Sequence, residues 1–342
     1  MMVIMKRDAT KEDMSRVKEE AKGFKLEPIE MPGEERVIIA LKGDERVVTT
    51  GRFKSLPGVA DVIPVNKKYK MASRDTKWAD TIVDIGGGIK VGGNHQVIMA
   101  GPCAVESEKQ LRDAAEVVRK QGVRILRGGA YKPRTSPYAF QGLGLEGLKL
   151  LRRVADDLDM KVVSEIMDVR KVEEVAKYTD ILQVGSRNMQ NYDLLLEVGK
   201  CKKPVMLKRG LGSTLEEFLL AAEYILSEGN TNVILCERGI RTFEQEVRFS
   251  INLGAVPILK GLTHLPIIVD PSHAMGRREY VTDMALASLA SGSHGIIVEV
   301  HCEPEKALCD GPQALTPELF NDLVVRAKKI SDAIDMPLVL FP

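Results

Sequence analysis

From residue 95 onward the sequence repeats one pattern: a short apolar run, a loop, and a longer segment in which apolar residues recur every three or four positions. The short runs are typical of buried strands, and the longer segments of helices with one buried face. The predicted strands are His95–Gly101, Val123–Gly128, Lys161–Ile166, Asp180–Gly185, Pro204–Lys208, Asn232–Cys236, Leu265–Asp270 and Gly295–Val300. The predicted helices are Lys109–Gln121, Leu145–Leu158, Val169–Tyr178, Tyr192–Val198, Thr214–Ser227, Phe243–Ser250, Thr282–Ser291 and Pro317–Ile334.

Eight strands that are each followed by a helix, over roughly 250 residues, fit an α/β fold of the (β/α)8 TIM-barrel type. We therefore predict a barrel over residues 95–342. A doubly wound open sheet is the alternative, because periodicity alone does not show that the sheet closes.

The first 70 residues contain four short apolar segments and two amphipathic ones. The predicted strands are Val3–Lys6, Leu26–Glu30, Arg36–Lys42 and Val59–Val65, and the predicted helices are Lys11–Gly23 and Asp44–Ser55. Thr10 is placed to cap the first helix, three residues before Asp13. The order βαββαβ predicts a ferredoxin-like (ACT-like) domain over residues 1–70, with an exposed face suited to association or small-molecule sensing. Residues 71–94 are predicted to be a linker and a short hairpin.

Composition and charge exclude several classes of function. The 342 residues carry 49 basic and 48 acidic side chains, a net charge of +1. No bulk field therefore attracts nucleic acid or an anionic membrane. No apolar stretch approaches the roughly 20 residues of a membrane helix, and the N-terminus has no secretory signal pattern. Five irregularly spaced cysteines form no disulfide framework, so we expect a cytoplasmic protein.

The residues at or just after the end of each predicted barrel strand are all ionisable. In chain order they are Cys103, Arg127, Glu165, Arg187, Lys208, Arg238, His273 and Glu299. Barrel enzymes carry their chemistry at this end of the strands. Solvated loops account for an occasional Lys or Glu there, whereas a full set of eight indicates an active site.

Four of these residues are cationic, and the second loop adds two more. The cations are Arg127, Arg187, Lys208 and Arg238, with Lys132 and Arg134 in the segment RGGAYKPRTSP. Guanidinium groups bind phosphate and carboxylate in a bidentate manner. Pro133 and Pro137 stiffen the loop, and Thr135 and Ser136 offer hydroxyls to phosphate oxygens. The pattern favours a phosphate-binding site over a solvent-exposed basic loop.

The second group contains possible metal ligands. A thiolate, an imidazole and two carboxylates suit a divalent first-row metal, and the candidates are Cys103, His273, Glu299 and Asp310. Each also has a structural interpretation: a small buried residue, a loop histidine, a solvated strand end and a helix cap. Spacing alone leaves both interpretations open, because the metal site depends on the barrel bringing three loops together.

Seven segments together resemble the 3-deoxy-D-arabino-heptulosonate 7-phosphate synthases. They are GPCAVES, LRGGAYKPRTSPYAFQGLG, QVGSRNMQN, LKRG, CERGIRTFE, VDPSHAMGRR and GIIVEVHCEPEKALCDGPQAL. The resemblance covers about residues 80–335, and residues 1–70 resemble the regulatory domain of one subgroup. It implies an aldol-like condensation of phosphoenolpyruvate with D-erythrose 4-phosphate and water, releasing phosphate, at the first step of the shikimate pathway.

The resemblance also assigns roles to residues. It implies one divalent metal ion, such as Mn, Fe, Co or Zn, on Cys103, His273, Glu299 and Asp310. It maps phosphoenolpyruvate onto Arg127, Lys132, Arg187, Lys208 and Arg238, and erythrose 4-phosphate onto Pro133, Arg134, Thr135 and Ser136. Lys132 is the candidate for protonating the aldehyde oxygen, with a metal-bound water as the alternative. Glu165 either positions the attacking water or Lys208, or forms an ion pair behind the site.

Two alternatives stay open. The related 3-deoxy-manno-octulosonate 8-phosphate synthases use arabinose 5-phosphate and carry a KANRSS-like segment, whereas Pro133 and Arg134 favour the four-carbon sugar. A metal-independent branch of those enzymes replaces the cysteine by asparagine, so Cys103 argues for a metal. The other alternative is an amino-acid sensor with a degenerate barrel. For residues 1–70 we predict feedback inhibition by tyrosine or phenylalanine, with oligomer assembly alone as the alternative, and the resemblance suggests a homotetramer.

Overall fold

The computed structural model describes residues 1–33, 36–44, 47–63 and 68–342. They divide into two compact units, Met1–Trp78 and Ala79–Pro342. The segment 71–78 therefore belongs to the N-terminal unit, and the predicted hairpin belongs to the second unit.

The N-terminal unit has the predicted order βαββαβ. Its elements are β1 (Met2–Met5), α1 (Lys11–Gly23), β2 (Glu27–Pro32), β3 (Val37–Lys42), α2 (Thr50–Lys54) and β4 (Val59–Ile63). The strands pair antiparallel in the order β2-β3-β1-β4, so the ferredoxin-like prediction is confirmed. Thr10 caps α1 as predicted, with its hydroxyl accepting from the Asp13 amide over 3.2 Å.

Two predicted elements of this unit extend more than one residue beyond the helix and strand that the structure describes. The helix predicted over Asp44–Ser55 begins only at Thr50, and residues 45–46 lie outside the described part of the chain. The strand predicted to reach Val65 is described as far as Ile63, and its predicted continuation falls on residues 64–67, which likewise lie outside the described part of the chain.

The second unit opens with the hairpin of β5 (Val83–Gly86) and β6 (Ile89–Val91). Its apolar side chains pack with residues of the barrel interior, among them Met99 and Ile125. Arg124, which precedes the second barrel strand, donates to the Gly87 carbonyl over 3.4 Å. The hairpin therefore closes the barrel at the N-terminal ends of the strands and leaves the opposite end open.

The barrel consists of eight parallel strands and the helices between them. In chain order its elements are β7 (Val97–Gly101), α3 (Glu108–Lys120), β8 (Ile125–Arg127), α4 (Gly144–Asp157), β9 (Lys161–Ile166), α5 (Val172–Tyr178), β10 (Ile181–Val184), α6 (Tyr192–Lys200), β11 (Val205–Lys208), α7 (Leu215–Ser227), β12 (Val233–Glu237), α8 (Ala255–Leu262), β13 (Ile267–Val269), α9 (Pro271–Met275), α10 (Arg278–Ala290), β14 (Gly295–Glu299) and α11 (Pro317–Ala333). The sheet closes, because β14 pairs with β7 through five residue pairs. The open-sheet alternative is thereby excluded.

The strands are buried on both faces. Every residue of β7, β12 and β14 is buried, which explains why these segments appear as continuous apolar runs without alternation. Apolar helix faces cover the outside of the barrel, and the hairpin and inward-facing side chains fill its interior.

One predicted helix is wrong. Residues Phe243–Ser250 form a loop, and the helix of this repeat is α8, which begins at Ala255. The loop is fixed by reciprocal backbone hydrogen bonds between Ile240 and Ser250. Tertiary contacts of this loop, described below, replace the helix that local propensity favours. Among the described residues, no helix combines the length and apolar character that crossing a membrane requires.

Candidate active site

The eight ionisable residues singled out in the sequence lie at the open end of the barrel. Arg127, Lys208 and Glu299 are the last residues of their strands, and Glu165 is the last but one of β9. Cys103, Arg187 and Arg238 follow their strands within three residues, and His273 lies in α9, directly after β13. Parallel strands of a closed barrel direct all these positions to one face.

Four candidate metal ligands converge at this face. One donor atom from each of Cys103, His273, Glu299 and Asp310 lies within 4.8 Å of the other three. The Cys103 Sγ is 3.5 Å from Asp310 Oδ2, and His273 Nε2 is 3.3 Å from Glu299 Oε1. A sulfur, an imidazole nitrogen and two carboxylates at this spacing fit a divalent first-row ion. The predicted ligands therefore form a candidate metal-binding cluster.

The protonation states of the cluster suit metal binding. Burial raises the pKa of Asp310, but the charges of His273, Arg248 and Lys132 outweigh it and lower that pKa to about 2. Burial also acts against ionisation of Glu299, yet its pKa is lowered by His273 and Arg127. Both carboxylates are thus ionised at neutral pH.

His273 is held next to a buried carboxylate. Burial lowers its pKa, so the imidazole is neutral at pH 7, as a metal ligand must be. Its Nδ1 lies 2.7 Å from Asp270 Oδ2, and its backbone amide donates to Asp270 Oδ1 over 3.0 Å. Asp270 also accepts a hydrogen bond from Lys208 Nζ. Asp270 therefore joins a metal-ligand candidate to a substrate-binding candidate.

Two buried cations contact the cluster directly. Arg127 Nη1 donates to Glu299 Oε1 over 2.6 Å. Lys132 Nζ lies 3.1 Å from both the sulfur and the carbonyl oxygen of Cys103. The positive charges expected to bind an anionic substrate thus border the metal ligands.

Arg238 is a cation with unused hydrogen-bonding capacity. Its guanidinium lies 3.8 Å above the Phe249 ring, and its buried Nη1 has no hydrogen-bond partner among the described residues. Burial lowers its pKa to about 10, so the group stays charged at neutral pH. A buried charged donor without a partner is suited to an anionic ligand.

These groups surround a cavity of about 290 Å³. Its lining includes the predicted residues Lys132, Pro133, Arg134, Thr135, Ser136, Glu165, Arg187, Lys208, Arg238, His273 and Asp310. Cys103 and Glu299 are buried and contact lining residues, and the buried Arg127 contacts Glu299. The structure thus brings all the predicted site residues together.

The proline-containing loop forms one wall of the cavity. Lys132 is buried, Pro133 and Arg134 are half-buried, and Thr135 and Ser136 are exposed. Arg134 Nη1 lies 2.5 Å from the Cys309 sulfur, which is 3.3 Å from the sulfur of Cys103. This wall therefore extends from the candidate metal cluster to the mouth of the cavity.

The Glu165 carboxylate lies in the cavity wall. Its Oε2 accepts from Gln183 Nε2 over 3.2 Å. A Cβ at position 185 would lie 2.0 Å from Glu165 Oε1, so glycine at that position leaves room for the carboxylate.

Sequence reasoning missed several residues of the site. Asp270 is the last residue of the predicted strand Leu265–Asp270, and this position at a strand end is the signal that could have identified it. Arg248, Phe249 and Gln313 lie within or beyond loops, and no local pattern marks them. Each nevertheless contacts a predicted site residue.

Comparison with known protein families gives the site its context. Residues 72–335 match the DAHP synthetase I family, and residues 1–67 match the DAHP synthase ferredoxin-like domain. The chain belongs to the DAHP synthetase I family. The predicted enzyme class, DAHP (3-deoxy-D-arabino-heptulosonate 7-phosphate) synthase of the shikimate pathway, is confirmed. The alternative of a sensor with a degenerate barrel is thereby set aside.

Similar proteins cover the chain to different extents. A phospho-2-dehydro-3-deoxyheptonate aldolase from Thermotoga maritima is 50% identical over 334 residues, 98% of each chain. The crystal structure of a DAHP synthase from Thermotoga maritima matches with a TM-score of 0.79 at 48% identity, over 99% of both chains. A 2-dehydro-3-deoxyphosphooctonate aldolase from Geobacter sulfurreducens is 34% identical over 268 residues, 73% of this chain and 96% of the relative. The DAHP synthetase I chain thus resembles a seven-carbon aldolase more closely than this eight-carbon one.

Proposed function

We propose that this chain condenses phosphoenolpyruvate with D-erythrose 4-phosphate at the open end of its barrel, with the residues predicted from the sequence. The observation that carries the proposal is the juxtaposition of Lys132 with Cys103, at 3.1 Å. This contact puts a substrate-binding cation beside a metal ligand. Two phosphorylated substrates and one metal ion then share a single cavity.

The phosphoenolpyruvate end is assigned to five cations: Arg127, Lys132, Arg187, Lys208 and Arg238. Arg238 offers a buried Nη1 that has no hydrogen-bond partner among the described residues, and the fixed fork of a guanidinium suits both carboxylate and phosphate. Lys208 is oriented by the Asp270 carboxylate. These cations hold the enol carbon in place while it reacts.

The erythrose 4-phosphate end is assigned to Pro133, Arg134, Thr135 and Ser136. The half-buried guanidinium of Arg134 and the two exposed hydroxyls border the same cavity. A sugar phosphate that enters through the mouth meets these groups first. Its aldehyde then points inward, towards Lys132 and the candidate metal cluster.

We assign one divalent ion, of the class Mn, Fe, Co or Zn, to Cys103, His273, Glu299 and Asp310. When bound, such an ion polarises the aldehyde carbonyl as a Lewis acid. Lys132, whose ammonium lies beside Cys103, donates a proton to the aldehyde oxygen.

The reaction forms one carbon–carbon bond and releases one phosphate. The C3 carbon of phosphoenolpyruvate attacks the aldehyde carbon, and water adds at C2. The resulting phosphohemiketal collapses by cleavage of its C–O bond. Glu165 lies in the same cavity wall, and we assign it the positioning of the attacking water or of Lys208.

The charges of the site support two anionic substrates. Six cationic side chains and a divalent ion face three anionic ligands, and each substrate phosphate carries about −1.5 to −2. The carboxylate of phosphoenolpyruvate adds one more negative charge. Both substrates together therefore come close to neutralising the site.

We further propose that residues 1–70 bind tyrosine or phenylalanine as a feedback inhibitor, and that the chain assembles as a homotetramer. Support comes from the ferredoxin-like topology and the match of residues 1–67 to a domain of DAHP synthases. The cytoplasmic location stays a prediction from the sequence.

A phosphate-release assay tests the proposed reaction. With phosphoenolpyruvate and metal present, we expect faster release with erythrose 4-phosphate than with arabinose 5-phosphate, and loss of release on addition of a chelator. A preference for arabinose 5-phosphate would overturn the assignment of the sugar. Full activity in the chelator would overturn the metal centre.

A further inference from the structure

Arg248 connects the loop after β12 to both carboxylates of the candidate metal cluster. Its Nη1 donates to Gln313 Oε1 over 2.9 Å and lies 3.4 Å from Asp310 Oδ2. Gln313 Nε2 in turn donates to Glu299 Oε2 over 2.8 Å. One guanidinium thus touches Asp310 directly and reaches Glu299 through a single amide.

The backbone around Arg248 is fixed to the helix that carries His273. The Arg248 amide donates to the Met275 carbonyl over 3.3 Å, and the next amide donates to the Ala274 carbonyl over 2.8 Å. At the end of this helix Gly276 has φ 71°, and a Cβ there would lie 2.7 Å from the Arg248 Cβ. Glycine at position 276 therefore leaves room for Arg248 to pack against α9, the helix that carries the metal-ligand candidate His273.

Asp310 and Gln313 are both held by contacts of Arg248. The Arg248 guanidinium contacts the Asp310 carboxylate, and Asp310 has φ 50°, a left-handed conformation that Asp adopts more readily than most residues with a side chain. The Gln313 side chain is buried, and its two hydrogen bonds, to Arg248 and to Glu299, satisfy both ends of its amide. Arg248 therefore supports one metal carboxylate, Asp310, directly and supports the Gln313 amide that holds the other, Glu299.

We propose that Arg248 is a positioning residue for the metal centre, which holds Asp310 directly and Glu299 through Gln313 in the orientation that binds a divalent ion. The inference rests on the proposed function, because it takes these carboxylates as ligands. Partners of metal ligands typically contribute ten-fold to a hundred-fold in metal affinity. The positive charge of Arg248 acts in the opposite direction, since it repels a cation, but the side chain is about a third exposed, so solvent screens this repulsion.

Titration of the chelator-treated full-length protein with Co²⁺ tests this role. The thiolate-to-cobalt absorbance reports ligation by Cys103, and the titration gives the dissociation constant without an activity assay. For Arg248→Met we expect a dissociation constant about ten-fold or more above that of the unchanged protein. Arg248→Lys keeps the positive charge but lacks the planar guanidinium. Its dissociation constant for Co²⁺ should lie between those of Arg248→Met and the unchanged protein. Arg241→Met, at an exposed arginine of the same loop, should bind Co²⁺ like the unchanged protein.

Gln313→Met gives a second, independent arm. If Arg248 reaches Glu299 through Gln313, the two substitutions share one path, and their effects on the dissociation constant should be less than additive. This arm and Arg248→Lys keep the proposal testable if Arg248→Met does not fold.

Several outcomes would overturn the proposal. Unchanged or tighter Co²⁺ binding by Arg248→Met would show that the repulsion between Arg248 and the cation is at least as large as the gain from orienting the carboxylates. A lower melting temperature with an unchanged dissociation constant would assign Arg248 to loop stability alone, and equal weakening by Arg241→Met would show a general effect of the loop. If the unchanged protein itself does not bind Co²⁺, the metal centre of the proposed function fails, and that result is distinct from all the others.

Discussion

Arg127 Nη1 donates to Glu299 Oε1 over 2.6 Å, and the two side chains are only 4% and 1% exposed. Arg127 is assigned to phosphoenolpyruvate and Glu299 to the metal, so this ion pair joins the two halves of the site. A buried ion pair contributes little net stability, because desolvation offsets its attraction, but removal of one partner leaves the other charge buried and unpaired.

Replacement of Glu299 by alanine should therefore destabilise the barrel by about 3–5 kcal/mol. Urea unfolding in the presence of a chelator measures this effect without any contribution from a bound ion. Glu303→Ala is the matched control, since its exposed carboxylate pairs only at the surface, with Lys306, and we expect no measurable change. Equal unfolding midpoints for the two variants would show that Arg127 does not depend on Glu299.

Removal of a single metal ligand should abolish both metal binding and catalysis. For Cys103→Ala and His273→Ala we expect no phosphate release above background and a metal content far below one ion per chain. Cys201→Ala is the control, because this half-buried cysteine follows α6 and is not one of the four clustered residues. Elemental analysis of the purified variants, together with the phosphate assay, checks the prediction. Full activity of both ligand variants without metal would contradict it.

The strand-end residues could be predicted from the sequence because a parallel barrel directs every strand end to one face. Cys103, Lys208 and Glu299 could be identified because they lie at or just after the ends of apolar runs. Arg248 and Gln313 could not be predicted in this way, because their contact joins positions that are 65 residues apart and depends on the approach of two loops. No local periodicity encodes such an approach.

The misassigned helix has a similar cause. Residues 243–250 contain good helix formers, so local propensity favours a helix there. In the structure Phe249 packs under the Arg238 guanidinium, and Arg248 reaches Asp310. These site contacts are made from a loop, and a single-sequence pattern does not reveal them.

Oxidation should join Cys103 to Cys309 and expel the metal. The two sulfurs lie 3.3 Å apart, although no disulfide is present. Hydrogen peroxide would accept two electrons and two protons from the two thiols, yielding a disulfide and two waters. We expect peroxide to release the metal and inactivate the enzyme, and a thiol reductant to restore both. Cys302 and Cys309 both lie close in sequence to the ligand candidates Glu299 and Asp310, and the short distance between the sulfurs favours Cys309 as the partner of Cys103.

Variants of the second cysteine distinguish these possibilities. Cys309→Ser should resist reversible inactivation by peroxide, whereas Cys302→Ser should behave like the unchanged protein. Peptide mapping by mass spectrometry identifies the disulfide. Inactivation that no thiol reductant reverses would argue against the pairing.

Stability should fall in acid because of His294, a buried histidine that directly precedes β14, at the opposite end of that strand from Glu299. Burial lowers its pKa to about 4, and its Nδ1 accepts from the Ile267 amide over 3.0 Å. In the unfolded chain a histidine has a pKa of about 6.5. Between these values the unfolded chain binds a proton that the folded chain does not, so stability is complete above about pH 6.5 and declines towards pH 4.

The decline assigned to His294 is about 3 kcal/mol at most, from the difference between the two pKa values. His294→Asn supplies the control, since the amide oxygen can replace Nδ1 as acceptor but does not titrate. The melting-temperature advantage of the unchanged protein over this variant at pH 7.5 should shrink at pH 4.5. Parallel curves for the two proteins would show that His294 does not carry the effect.

Removal of residues 1–78 should leave an active barrel that tyrosine and phenylalanine do not inhibit. We choose Trp78 as the end of the deletion because the structure divides the chain there. The N-terminal unit has a core of its own, which includes Val3, Leu41 and Phe53. The barrel core is formed by residues from Val83 onward. Neither core loses a member when the chain is cut, so the barrel should fold and keep its metal.

Phosphate release by the full-length and shortened proteins, with and without each amino acid, checks this prediction. We expect inhibition only of the full-length protein, at equal metal content. Sedimentation of both proteins separates the two roles of the domain. Inhibition that is lost on shortening, with unchanged assembly, indicates sensing. If neither amino acid inhibits the full-length protein and the shortened protein assembles differently, the domain is an assembly module. Undiminished inhibition of the shortened protein would place the effector site in the barrel, because residues 79–342 are then the only part of the chain left to bind it.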